Sequence, residues 1–294
     1  MKNSLLILIL SSLIVGCNND SNAKIAAQNE SQDVNTLVRS ENSSEIFKLA
    51  TTYASNGGKE NLTKAYELYN KAAELGSTDA MLQLGLLLRE GNEVVSRNDK
   101  ASTQWFMKLA EKGEAAGLHN VGVAYYKGLG VELDKKKAYH YFLQSAEKGL
   151  LQSQVLVSGL LYNGDGVNKD LAASFQWMLK AAEQGDIDSQ NNVGLAYENG
   201  EGVEKDPKQS FIWFKKAADN GQVFANYNVA LKYFTGNGVN QNLDEAIKYA
   251  EVAFKKGDEG AYELLSEIYG DETSLKYNPA KAANLKKEYE NLKN

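Results

Sequence analysis

One spacing dominates this sequence. Glycines close AAE-like stretches at Gly76 (KAAELG), Gly113 (KLAEKG), Gly149 (QSAEKG), Gly185 (KAAEQG), Gly221 (KAADNG) and Gly257 (AFKKG), at intervals of 37, 36, 36, 36 and 36 residues. Nine residues past each stands a small residue: Gly85, Gly122, Ser158, Gly194, Ala230 and Ser266. Twelve past stand Leu88, Tyr125, Leu161, Tyr197, Tyr233 and Tyr269. A turn follows, GLGVELD, GDGVNKD, GEGVEKD or GNGVNQN, with GNEVVSRND as a degenerate form in the second unit. Self-similarity at such a period confines the chain to a stack of like supersecondary units, because one unit cannot bury its apolar face without a neighbour.

Each unit reads as a pair of helices. In the third, Leu118, Val121, Gly122 and Tyr125 recur at three and four residues, which predicts a helix from about Ala115 to Lys127. Gly128 suits the left-handed position that ends it, and Gly130 serves the following turn. Asp134 fits the N-cap of a second helix that turns Ala138, Tyr141, Phe142 and Ala146 inward and ends at Gly149. The small residue nine past each glycine lets paired helices approach closely. Trp105, Trp177 and Trp213, like Leu68, Tyr141 and Tyr249, lie eight residues before a unit-ending glycine, a recurrence that predicts core.

The LGxxY, GxGVxxD and WxxKAAExG elements resemble the Sel-one-like repeat (SLR) family, a relative of the tetratricopeptide repeat with a longer turn between its helices. The resemblance covers nearly all of residues 45–294, with units at about 45–76, 77–113, 114–149, 150–185, 186–221, 222–257 and 258–294. It implies an all-α, right-handed superhelical solenoid of about seven helical hairpins. The first unit has SNGGKENL and the last GDETSLKYNPAKA where the turn should be, as expected of end repeats with one face unpartnered, and the last hairpin should act as a cap.

Residues 1–16 have the form of a secretory signal: Lys2, an apolar run from Leu5 to Ile14 too short to span a bilayer, and small residues before Cys17. Ile14-Val15-Gly16-Cys17 resembles a bacterial lipobox, which implies cleavage before Cys17 and lipidation of its thiol. Residues 17–44 are polar, without sustained periodicity, and read as a flexible tether. Asn18 after the Cys favours, by the enterobacterial sorting rule, the outer membrane of a Gram-negative envelope, facing the periplasm.

The chain offers little chemistry. A formal net charge of −6 gives no electrostatic footprint for nucleic acid, and one Cys allows neither an internal disulfide nor a four-ligand zinc site. The glycine turns lie between helices and lack the strand and Lys-Ser/Thr of a phosphate loop, and NGDGVNKD lacks the carboxylate spacing of a calcium loop. His119 and His140, the two histidines, have no positioned third ligand. No catalytic group, metal site or cofactor is therefore expected. Helical SLR proteins tied to penicillin binding or β-lactam chemistry form a subfamily with a Cys pair in each repeat, and this chain has no such pairs, so a cell-wall or β-lactam-active enzyme is only a remote alternative.

By resemblance to tetratricopeptide-like folds, first helices line a groove, and the exposed groove positions are three, six, ten and thirteen past each unit-ending glycine. These vary between units while framework positions do not, as expected if they read a ligand. The candidate surface is His119, Tyr126, Tyr162, Asn191, Glu198, Phe224, Tyr227 and Phe234. Phe224, Tyr227, Leu231 and Phe234 make an apolar stripe that either serves as an interface or packs on the seventh hairpin. The expectation is a monomeric, non-enzymatic lipoprotein held to the membrane through Cys17 that binds a protein partner as scaffold or adaptor. The alternative, implied by resemblance to lipoprotein inhibitors of type VI secretion phospholipase effectors, is immunity against a secreted toxin.

Overall fold

The computed structural model describes residues 41–293, and every regular element among them is a helix. The helices are α1 (Ser43–Asn56), α2 (Lys59–Glu74), α3 (Thr78–Glu90), α4 (Asp99–Glu111), α5 (Ala115–Lys127), α6 (Lys135–Glu147) and α7 (Leu151–Asn163). There follow α8 (Leu171–Glu183), α9 (Ile187–Asn199), α10 (Pro207–Asp219), α11 (Val223–Thr235), α12 (Leu243–Phe254), α13 (Glu259–Gly270) and α14 (Pro279–Lys293). None is long and apolar enough to cross a membrane. The signal segment and Cys17 lie outside the described residues, as does the tether up to residue 40.

The turn motif is explained by what its residues bond. Gly128, Gly164, Gly200 and Gly236 end the first helices in the left-handed conformation, with φ of 69–75°, where a Cβ is penalised. The second glycine has another reason. A Cβ on Gly130, Gly166, Gly202 or Gly238 would lie 2.0–2.5 Å from backbone at the start of the preceding unit's second helix, so each turn docks on its neighbour where only hydrogen fits. The residue closing the motif does two jobs. Asp134, Asp170, Asp206 and Asn242 cap the second helices, each accepting the N–H three residues on through its side chain. Each also donates its own N–H to the carbonyl of Tyr125, Leu161, Tyr197 or Tyr233 at 2.9–3.0 Å. Asn98 and Asn278 do the same, donating to Leu88 and Tyr269, so the cap keeps its period of 36 into the second unit, where Gly91 remains but the second turn glycine is gone, and into the last, which lacks both.

The chain forms two compact units, one running through Leu84 with Glu93–Val95, the other comprising Gly85–Asn92 and everything from Ser96 onward. In the first, α1 packs on α2 through Ile46, Ala50, Ala65, Leu68, Ala72 and Ala73, with Phe47 and Tyr69 rings 5.7 Å apart. In the second, each helix from α4 onward packs against its neighbours in sequence, as a solenoid does. Its hairpins close on the small residues nine past the unit glycines: a Cβ at Gly85, Gly122 or Gly194 would stand 2.3–2.7 Å from the ring of Phe106, Phe142 or Phe214. Those rings are buried.

This displaces the tryptophans from the role expected of them. Trp105 and Trp213 precede the buried Phe106 and Phe214 by one residue; they, Trp177 and Tyr141 are only half-buried. Each tryptophan carries a lysine ammonium from one turn later over its ring, Lys108 at 4.0 Å, Lys180 at 3.9 Å and Lys216 at 4.6 Å. The core expectation holds at the same offset for Leu68 and Tyr249, which are buried. Among the described side chains, the C-terminal helix α14 turns Ala282, Leu285 and Tyr289 onto the cluster of Tyr249, Leu264, Leu265 and Ile268, with polar side chains outside.

Candidate functional site

Within the second unit, consecutive first helices α5, α7, α9, α11 and α13 carry the positions expected to line a groove, and side chains at these positions tie one repeat to the next. His119, half-buried on α5, shares a 2.8 Å hydrogen bond between Nδ1 and Ser153 Oγ; burial, then the Arg89 guanidinium, pushes its pKa below the ordinary value. Tyr126 donates its hydroxyl to Asp165 Oδ2 at 2.7 Å in the next turn. Lys135 pairs with the same carboxylate at 2.9 Å, and Lys135 and Tyr126 together hold Asp165 below the usual carboxylate range. Tyr162 repeats the gesture more loosely, reaching Glu201 Oε2 at 3.4 Å in the turn that follows, with the Lys169 ammonium 5.1 Å from its ring centre. Asn191 is buried, and Asn228 Nδ2 donates to it at 3.4 Å.

Glu198 is the anchor of a charged bridge. It is ion-paired with Lys232, whose side chain is 5% exposed, and it accepts a 3.0 Å hydrogen bond from Ser210 Oγ. Burial pushes the Glu198 carboxyl up, but Lys232, the Ser210 hydroxyl and Lys205 outweigh it and hold it below its ordinary value. Lys232 stands eleven residues past Gly221, where the preceding units have Ala124, Leu160 and Ala196.

The stripe on α11 divides. Phe224 is 66% exposed and Leu231 also faces water, whereas the Tyr227 ring lies 2.8 Å from where a Gly260 Cβ would stand, and Phe234 packs on the C-terminal core. The eight candidate residues thus do not converge on one point. They are distributed along successive helices, with Phe224 and Tyr162 the ones open to solvent and the others engaged in bridges or packing.

Residues outside that set complete the surface. Among the exposed large apolar side chains, Val155, Leu156 and Tyr162 are on α7, Ile187 and Leu195 on α9, and Phe224 and Leu231 on α11. The second helices α8, α10 and α12 contribute Ile212 and Val252. A cavity of about 400 Å³ opens among Val155, Gly159 and Tyr162 of α7, Leu171 and Met178 of α8, and Asn192 and Leu195 of α9, with Glu201 beside it. A second hollow, of about 710 Å³, lies on α4, α5 and α6, where Met107, Leu118 and Val121 meet Lys136, Lys137 and His140. Among the described residues no group of three or more His, Cys, Asp or Glu is arranged to hold a metal ion.

Comparison with known proteins matches this architecture. No curated protein sequence matches the chain. A protective antigen present in uropathogenic Escherichia coli strains, displaying an SLR fold, is 28% identical with a TM-score of 0.76, covering 89% of this chain. This chain spans only 56% of that protein's length. A Sel1 repeat protein from Oxalobacter formigenes is 27% identical with a TM-score of 0.62, over 80% of this chain and 98% of that one. An immunity protein from Pseudomonas aeruginosa, 22% identical over 73% of this chain and 80% of its own, has a TM-score of 0.36, a likeness too slight to speak for function. The Sel1 repeat model matches residues 46–77, 78–114, 115–150, 151–186, 187–222 and 223–258 in unbroken succession. With its helices, turns and close-packed glycines repeating over the same residues, the chain belongs to the Sel1 repeat family, whose fold is suited to protein–protein interaction.

Proposed function

We propose that this protein is a non-catalytic, lipid-anchored adaptor that holds a partner protein on the first-helix face of α7, α9 and α11. The observation that carries the reading is the concentration of exposed large apolar side chains on those three helices. Water-exposed apolar clusters of this kind are costly to keep and are characteristic of interaction surfaces. Anchorage is read from Cys17 and the signal-like segment before it, with the outer membrane facing the periplasm as the location; the protective-antigen role of the Escherichia coli relative is in keeping with an envelope protein.

The test is retrieval of bound protein from solubilised envelopes with the wild-type chain, a Leu195→Asp, Leu231→Asp variant and an Ile212→Asp control. Ile212 is 52% exposed on α10, so its substitution adds a carboxylate outside the proposed face. A protein retained by wild type and the control but lost from the double variant, with helical circular dichroism unchanged, establishes the face. Equal retention by all three refutes it. The identity of the retained protein separates an adaptor from an inhibitor of a delivered toxin. For the anchor, Cys17→Ser should abolish incorporation of labelled fatty acid and release the chain from the membrane fraction; unchanged labelling refutes lipidation there.

A further inference from the structure

We propose that the gap over Gly159 is the specificity pocket of this face, and that it receives one leucine- or phenylalanine-sized side chain from a partner segment in which lysine or arginine stands beside that anchor. The proposal rests on the reading of the face given above and adds the chemistry of what binds there.

Three observations converge on it. Ten residues past the unit glycines, α5, α9 and α11 carry Val123, Leu195 and Leu231, whereas α7 carries Gly159. A Cβ built on Gly159 meets nothing within 4 Å, unlike Gly122 and Gly194, whose missing side chains are required by a neighbouring ring. Glycine inside a helix weakens it, and here no packing demand accounts for its presence. The missing side chain leaves the helix open to the cavity of about 400 Å³, whose apolar wall is Val155, Tyr162, Leu171, Met178 and Leu195, with serines and Asn192 between them. That space suits a large apolar side chain together with the backbone that carries it.

Charge defines the neighbours of the anchor. Helix α7 carries no ionisable acid or base beyond Tyr162, α9 carries Asp188 and Glu198, and α13 carries Glu259, Glu263 and Glu267; the ammonium of Lys232 on α11 is buried against Glu198. Of the second helices, α6 sets Lys135, Lys136 and Lys137 against Glu147 and α10 sets Lys208, Lys215 and Lys216 against Asp219, while α8 balances Lys180 with Glu183 and α12 is acidic. At the cavity itself, the exposed Glu201 carboxylate accepts from Tyr162, whose ring already holds the Lys169 ammonium at its face. Glu201 is the one charged residue lining the cavity, so a cation next to the anchor meets a carboxylate and a carboxylate there meets like charge.

The experiment selects a displayed library of random twelve-residue peptides on the full chain in detergent, then measures the enriched peptides by fluorescence anisotropy against wild type, Gly159→Leu and Leu195→Asp. The result expected is enrichment of one large apolar residue with Lys or Arg within a few positions. Binding should weaken about tenfold to a hundredfold on Gly159→Leu, the range that burial of one such side chain supplies. Circular dichroism confirms that the variant stays helical, and Gly159→Ala, which fills less of the space, should weaken binding less. If Gly159→Leu binds as wild type does while Leu195→Asp does not, the pocket is refuted and the face stands. If both bind as wild type, both are refuted. Acidic neighbours in the enriched peptides, or no enrichment on wild type, overturn the proposal. So does displacement of the enriched peptides by a synthetic peptide of residues 18–40, which would make the occupant the chain's own N-terminal segment.

Discussion

Glu198 and Lys232 show how one substitution in a repeat reshapes its junction. A buried ammonium is tolerated only beside its counter-charge, so removing the carboxylate leaves an uncompensated charge at a position where the other units keep Ala, Leu or Ile. Glu198→Gln should cost about 1–3 kcal/mol of stability, and adding Lys232→Leu should recover most of it, because an apolar side chain needs no partner there. Urea denaturation of the single and double variants checks this; a double variant no better than the single one contradicts it. His119 gives a pH signature. Its folded-state pKa is lowered by burial and by Arg89, so the unfolded chain takes up this proton more readily than the folded one. Stability should therefore fall as pH drops through about 6.5, with the full loss reached below the folded value. His119→Gln should flatten that contribution between about pH 7 and 5, read from thermal midpoints across the range.

None of these residue partnerships was legible beforehand. His119 with Ser153, Tyr126 with Asp165 and Glu198 with Lys232 join residues 34–39 apart, a distance set by how one repeat rests on the next. Spacing picked out the positions that vary between units but not which of them face inward to a neighbour. Phe224 and Phe234 illustrate the limit, since both read as stripe residues and only the structure separates the exposed ring from the packed one.

At the scale of elements, far more could be read. The extent of α5, the left-handed Gly128 and the Asp134 cap follow from periodicity and from the backbone demands of the turn, which are local. The half-buried tryptophans did not, because recurrence marks a repeated environment without giving its depth, and beside Trp105 and Trp213 the buried place belongs to the next residue. Glycines of opposite meaning offer a direct check. Gly122→Ala and Gly194→Ala push a methyl group to within 2.7 and 2.6 Å of the Phe142 and Phe214 rings and should destabilise by about 1–3 kcal/mol. Gly159→Ala enters open space in a helix and should stabilise by about 0.5–1 kcal/mol. Thermal unfolding of the three variants distinguishes the signs, and a destabilised Gly159→Ala would contradict the open gap. The gap has a signature in sequence, a glycine in the column of Val123, Leu195 and Leu231, visible only when repeats are compared position by position.

For the molecule as a whole, repetition divides the labour between two sets of helices. Second helices carry the N-caps that receive each turn, the lysine-covered tryptophans and the rings that close on glycine, while the first helices of units four to six leave apolar side chains to solvent. The central claim is that this exposed face is where a partner sits, and photo-crosslinking in living cells tests it most directly. A photoreactive phenylalanine analogue is placed in turn at Leu195, at Phe224, and at the exposed second-helix positions Ile212 and Val252. The account predicts one discrete crosslinked species from Leu195 and Phe224 and none from Ile212 or Val252; crosslinks from the second-helix positions, with silence at Leu195 and Phe224, would contradict it.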